Sequence, residues 1–140
     1  MPYRADNPLK SCTGEQAMSD RDYPFFKRQE LACKYSNECE MDEGFMEKLV
    51  ELRKKFGKPM RISSAYRSKE LHPIEKAKLH PGFHSKGMAA DVLLWGPDAW
   101  ELVNLATSMG MSVGISQKGA IESRFIHVDS RTNPQTIWSY

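Results

Sequence analysis

The chain has 140 residues, with 20 Lys and Arg against 18 Asp and Glu, a formal net charge of +2 and 40% hydrophobic residues. That length suits one domain with a real core, and the mixed charge describes a globular chain rather than a disordered one. Basic residues are scattered rather than gathered into a stripe, so nucleic acid is excluded as the expected partner, and no apolar run is long enough for membrane insertion.

Residues 1–22 carry Pro, Asp, Asn, Ser and Arg with few apolar anchors and read as an extended N-terminal arm. A single domain is expected over 23–140, joined at the apolar cluster Tyr23-Pro24-Phe25-Phe26. The first eight residues lack the apolar stretch of a secretory signal, so the chain is expected to be made in the cytoplasm and to act elsewhere only after release. Cys12, Cys33 and Cys39 form neither an even disulfide set nor paired Cys-x-x-Cys knuckles. They read as plain thiols, with a Cys33–Cys39 pair as the alternative.

Phe45, Leu49, Leu52 and Phe56 recur at helical spacing, with Met46 and Val50 widening the stripe, and predict a helix over 42–56. Basic residues gather at its C-terminal end, and Gly57 then Pro59 end it. Residues 60–66 alternate as a strand does. Residues 67–83, broken by Pro73, Pro81 and Gly82, predict a long loop with a helical turn near 74–79, and long loops in compact domains are often functional. A buried strand is expected over 88–95, then a helix opened by Gly96-Pro97, with Leu102, Val103, Ala106 and Met109 inward and Gly110 at its end. Two short strands near 111–116 and 124–129, joined by a turn at Gly119, complete an α+β domain with a small antiparallel sheet and flanking helices.

Two stretches carry chemistry. His84-Ser85-Lys86-Gly87-Met88-Ala89-Ala90-Asp91 sets an imidazole and a carboxylate seven positions apart with small residues between them. Phe125-Ile126-His127-Val128-Asp129 sets a second imidazole in an alternating strand, with Phe125, His127 and Asp129 on one face and Ile126 and Val128 on the other. Two imidazoles and a carboxylate, with a fourth place left to water, are the donors of a catalytic zinc site, at roughly 2.0–2.2 Å from the ion. Taken singly, each residue has an ordinary reading as well: a solvated loop histidine, or an aspartate capping a strand. The zinc-protease helix signature His-Glu-x-x-His is absent.

The spelling His84-x-x-Gly87-x-Ala89-x-Asp91, followed by Phe125-Ile126-His127-Val128-Asp129, resembles the M15 family of zinc D-Ala-D-Ala peptidases. That family includes phage endolysins and shares its core fold with the lysostaphin and hedgehog groups. Ile62-Ser63-Ser64-Ala65-Tyr66-Arg67-Ser68 is similar to its Ser-x-Tyr-Arg segment, and the likeness is nearest to the small carboxypeptidase-like branch, over about 25–138. The resemblance implies His84, Asp91 and His127 as zinc ligands and Arg67 as the arginine facing substrate and oxyanion. A guanidinium suits either task, and a surface ion pair is the plain alternative. Ser64 and Tyr66 are implied to line the same cleft, although Tyr66 suits a core as well.

One departure stands out. Relatives place a catalytic Glu three residues before the last His ligand, or a second His two before it. Here Arg124 and Phe125 occupy those positions, and neither can act as a base. Asp129 is the substitute candidate and Glu122 a weaker one. Asp129 also reads as an orienter of His127 or a partner of Arg131.

The resemblance thus implies a zinc-dependent peptidase cutting a bond in peptidoglycan stem peptides or cross-links, as a phage-type lysin or virion-associated enzyme. The rivals are a catalytically inactive zinc-containing peptidoglycan-binding module and a virion structural module. The bond cut, the endo- or carboxypeptidase mode and the oligomeric state stay open.

Overall fold

A computed structural model describes residues 18–140. Most of the expected arm, and Cys12 with it, lies outside the described residues. Met18–Ser19 form β1, which pairs antiparallel with β2, Met41–Asp42. Between them the short helix α1, Arg28–Leu31, packs Leu31 into the core.

The first long helix, α2, runs Glu43–Phe56. The Asp42 carboxylate accepts a bond from the Phe45 N–H at 2.8 Å, which satisfies one of the orphan donors of the first turn. Gly57, at φ +73°, closes the other end in the left-handed conformation that glycine adopts without strain. The apolar stripe is buried as its spacing predicted: Phe45, Met46, Leu49, Leu52 and Phe56.

β3 is Arg61–Ser64, shorter than expected, and its pairing shifts register between Ile62 and Ser64. The expected loop over 67–83 contains one short helix, α3, Pro73–Lys76. β4 (Ala89–Leu93), α4 (Gly96–Ser108), β5 (Ser112–Ser116) and β6 (Phe125–Asp129) follow at the predicted places. Ile137–Ser139 add β7, which the sequence reading missed. A three-residue strand with two exposed positions has too little alternation to announce itself.

The main sheet has strand order β3-β4-β6-β5-β7. Its pairs are antiparallel except β5 with β7, which is parallel, so the expected purely antiparallel sheet is corrected to a mixed one. One face carries Ile62, Val92, Ile126, Val113 and Val128 into a core shared with α2 and α4. α4 lies on β5 and β6, and α2 packs on α4. The opposite face holds the site. Across it runs a single row in register, one residue from each strand: Ser64, Asp91, His127, Gly114 and Trp138. Among the described residues no helix is long and apolar enough to cross a membrane.

Candidate metal centre and cleft

Pairing of β4 with β6 puts Asp91 directly opposite His127. His84 reaches them from the turn before β4, and the donor atoms of the three side chains lie within 4.8 Å of one another. That turn is tight because Gly87 adopts φ +70° against the backbone of residues 40–42. A Cβ there would lie 2.1 Å from the Glu40 carbonyl oxygen, while the Gly87 carbonyl accepts a bond from the Asp42 N–H at 2.9 Å. Glycine is required on both counts.

Both imidazoles are oriented from behind. His84 Nδ1–H donates to the Ala65 carbonyl at 2.7 Å, leaving Nε2 3.4 Å from Asp91 Oδ1. His127 Nε2–H donates to Asp129 Oδ2 at 2.7 Å, leaving Nδ1 3.0 Å from the same Asp91 oxygen. Metal-binding histidines typically show this arrangement, one nitrogen anchored to a carbonyl or carboxylate and the other facing the ion. The donor set and its anchoring therefore fit a divalent cation held by His84 Nε2, Asp91 and His127 Nδ1.

The three residues are buried, at 6%, 5% and 4% exposure for His84, Asp91 and His127. Burial would raise the Asp91 pKa, but hydrogen bonds and charge from His127 and His84 hold it far below the ordinary carboxylate range. Burial likewise works against a charged His127, but Asp129 and Asp91 on its two nitrogens raise its pKa above the usual value. Asp129 is depressed: burial opposes its charge, and His127 and Arg131 more than compensate.

Arg67 sits beside this group. Its Nε donates to Ser64 Oγ at 3.0 Å and one terminal nitrogen donates to Asp91 Oδ2 at 3.3 Å. The other terminal nitrogen lies 3.6 Å from Glu75 Oε2. Glu75 went unnoticed in the sequence, because a glutamate in a Pro-initiated turn looks solvated. Its side chain is fully buried instead, and it accepts bonds from Lys78 Nζ at 3.0 Å, Ser85 Oγ at 2.9 Å and the Gly82 N–H at 3.3 Å. Glu75 thereby ties the turn carrying His84 to the arginine.

Asp91, His84 and His127 form the base of an open cleft of about 730 Å³, which Ser64 and Arg67 also line. Phe83 and Lys78 stand on its loop side, with Phe125, Trp138 and Tyr140 on its sheet side. Trp138 owes its place to Gly114, where a Cβ would stand 2.5 Å from the indole Cε2. The indole lies against His127, ring centroids 5.0 Å apart.

Three sequence-derived candidates fall elsewhere. Tyr66 belongs to the core, since the register shift in β3 turns the chain and its N–H donates to the Leu31 carbonyl at 2.9 Å. It does not line the cleft. Asp129, the candidate base, has no exposure and stands behind His127 with both oxygens engaged, Oδ1 by the Arg131 N–H at 3.0 Å and Oδ2 by His127 and by Arg131 at 2.7 Å. That placement takes it off the cleft, against its reading as proton acceptor, and matches its other reading as an orienter of His127. Glu122 is exposed in a short 3-10 turn, Ile121–Ser123, and also lies off the cleft. Cys33 and Cys39 are buried, unpaired thiols; burial pushes the Cys39 thiol up to about 11.

Two anchored imidazoles and a carboxylate at the base of an open cleft, on an α+β domain, are the build of a metal-dependent hydrolase. A family model described as Peptidase M15 matches residues 24–129, three-quarters of the chain, and the protein belongs to that peptidase family. The search of the curated proteins and the search of the solved structures each returned no match.

Proposed function

We propose that this protein is a zinc metallopeptidase that hydrolyses a peptide bond in peptidoglycan stem peptides or cross-links, in the manner of a phage lysin of the carboxypeptidase-like branch. The observation that carries the reading is the buried His84-Asp91-His127 set facing an open cleft with Arg67 at its edge. Zinc held there would act as a Lewis acid and lower the pKa of its water. His84 and His127 present fixed nitrogens to it, each locked by the bond behind it. Arg67, braced by Ser64 and Asp91, keeps a guanidinium beside the reacting carbonyl, where it stabilises negative charge as that develops. Phe83, Trp138 and Tyr140 give the cleft apolar walls, which strengthens these interactions. The enzyme would act on the wall as a lysin released from the cell or as part of a virion.

The test is metal content by elemental analysis, paired with digestion of purified peptidoglycan, for wild type and His127→Ala. Near-stoichiometric zinc and new amine ends in wild type, both lost in the variant, are expected. Absence of any metal, in fresh protein and after adding zinc, would overturn the reading.

A second reading rests on one observation. Among the described residues Asp91 is the only carboxylate lining the cleft, so none is left beside it to accept a proton. A zinc-containing peptidoglycan-binding module is consistent with that lining, and zinc with wall binding but no turnover would select it.

A further inference from the structure

The Arg131 guanidinium is built into the cleft wall in an unusual way. Its Nε and one terminal nitrogen engage the fully buried Asp129, at 3.0 and 2.7 Å to Oδ2. It also lies against two aromatic rings, with Cζ 4.5 Å from the Phe83 centroid and 4.7 Å from that of Trp138. Phe83 comes from the loop and Trp138 from β7, so the arginine bridges the two walls. The remaining terminal nitrogen makes no hydrogen bond among the described residues, and the side chain lines the cleft with 29% of its surface exposed. A guanidinium pinned on one edge and packed against two rings is a preorganised anion receptor, because little rotamer freedom is left to lose on binding.

The charges around it point to the ligand. Arg67, Lys78 and Arg131 stand against Glu75, Asp91 and Asp129, so the cleft's own groups balance. A divalent cation at the metal centre leaves two positive charges unanswered. Arg131 is close to that centre, since its bonded nitrogen and His127 Nε2 share one Asp129 oxygen and lie within two hydrogen-bond lengths of each other.

We propose that Arg131 is a specificity-determining residue that receives a carboxylate on the substrate residue next to the scissile bond. The inference rests on the peptidase reading above. The carboxylate has two possible sources, the α-carboxylate of a terminal residue or an acidic side chain within the peptide. The first makes the enzyme a carboxypeptidase and the second an endopeptidase selective for acidic residues.

The experiment uses zinc-loaded protein and matched synthetic peptides: one with a free terminal carboxylate against its amide, and one with Glu beside the cleaved bond against Gln. Wild type should favour one carboxylate form by roughly ten- to a hundredfold in kcat/KM, chiefly through KM, as a charge-assisted hydrogen bond supplies. Which pair shows the preference identifies the source. In Arg131→Gln the preference should collapse to near unity, and Arg131→Lys should retain part of it. A merely structural role would slow both members of a pair alike and leave their ratio intact, and that result overturns the proposal. So does a wild type indifferent to both carboxylates.

The same peptides are titrated into the proteins while following Trp fluorescence, since Trp138 lies against Arg131. Carboxylate-dependent binding without hydrolysis would sustain the receptor and overturn the peptidase. Loss of both binding and hydrolysis in wild type would overturn the receptor as well.

Discussion

Replacing Asp129 by Asn separates orientation from proton transfer at this site. The carboxylate accepts bonds from His127 Nε2 at 2.7 Å and from the Arg131 backbone and guanidinium at 2.7–3.1 Å, with no contact to water. The amide keeps the shape but swaps one acceptor for a donor, so its NH2 faces either His127 together with the Arg131 guanidinium, at the Oδ2 place, or the Arg131 N–H and Nε alone, at the Oδ1 place. If it faces His127, the ring loses its anchor, and loss of an orienting partner behind a ligand typically weakens metal binding 10- to 100-fold, about 1.4–2.7 kcal/mol. If it faces Arg131, a fork of donors is left unpaired. Arg131 is partly exposed and water takes over some of its bonds, so the stability cost is about 1–3 kcal/mol rather than the larger cost of a dry broken pair. Zinc affinity measured by competition with a chromogenic chelator, beside urea unfolding of the metal-free protein, gives both numbers. Zinc affinity within twofold of wild type, together with a kcat lower by two orders of magnitude or more, would refute the orienting role and restore Asp129 as the base.

Gly114→Ala should drive the Trp138 indole off His127, because the new Cβ would overlap three indole atoms at 2.5–2.7 Å. A changed near-UV circular dichroism spectrum and a loss of roughly 1–3 kcal/mol in stability are expected, and an unchanged spectrum would contradict the packing described. Gly87→Ala meets backbone rather than a movable ring and also a positive φ, so it should cost about 2–5 kcal/mol, read as a fall in Tm. Glu75 has a depressed pKa: burial works to raise it, but Lys78, Ser85 and the Gly82 N–H prevail. Its stabilising contribution is therefore full above the unfolded value of 4.5 and lost as pH falls through the lower folded value, and Glu75→Gln should abolish that part of the acid transition in a pH series of melts. Metal-stripped protein should behave oppositely at His127, whose raised pKa gives stability that is full below pH 6.5 and fades as pH rises through the folded value. Zinc uptake near pH 6 should accordingly release protons, and calorimetric heats that do not vary with the buffer's ionisation enthalpy would contradict this.

The local grammar of the chain determined a good deal without any structure. A 3.6-residue apolar stripe stopped by glycine sets α2, and Pro97 with Gly110 brackets α4, because helix periodicity and end chemistry are short-range properties. The two-residue period of 125–129 likewise divided Ile126 and Val128 from His127 and Asp129. Spelling around His84, Asp91 and His127 also pointed to the M15 peptidases, the family the chain belongs to.

Register and depth were decided only by the tertiary structure. No local pattern tells that Ser64, Asp91, His127, Gly114 and Trp138 form one row across five strands, since that follows from pairings up to 36 residues apart in the chain. Nor does a local pattern show that Tyr66 turns inward after a register shift, or that Glu75 is buried under a turn that looks solvated. Asp129 makes the point most sharply. Two residues from His127 on one strand face, it had the spacing of a base and of an orienter alike. Only the packing of Arg131 against it, with the solvent excluded, favours the second.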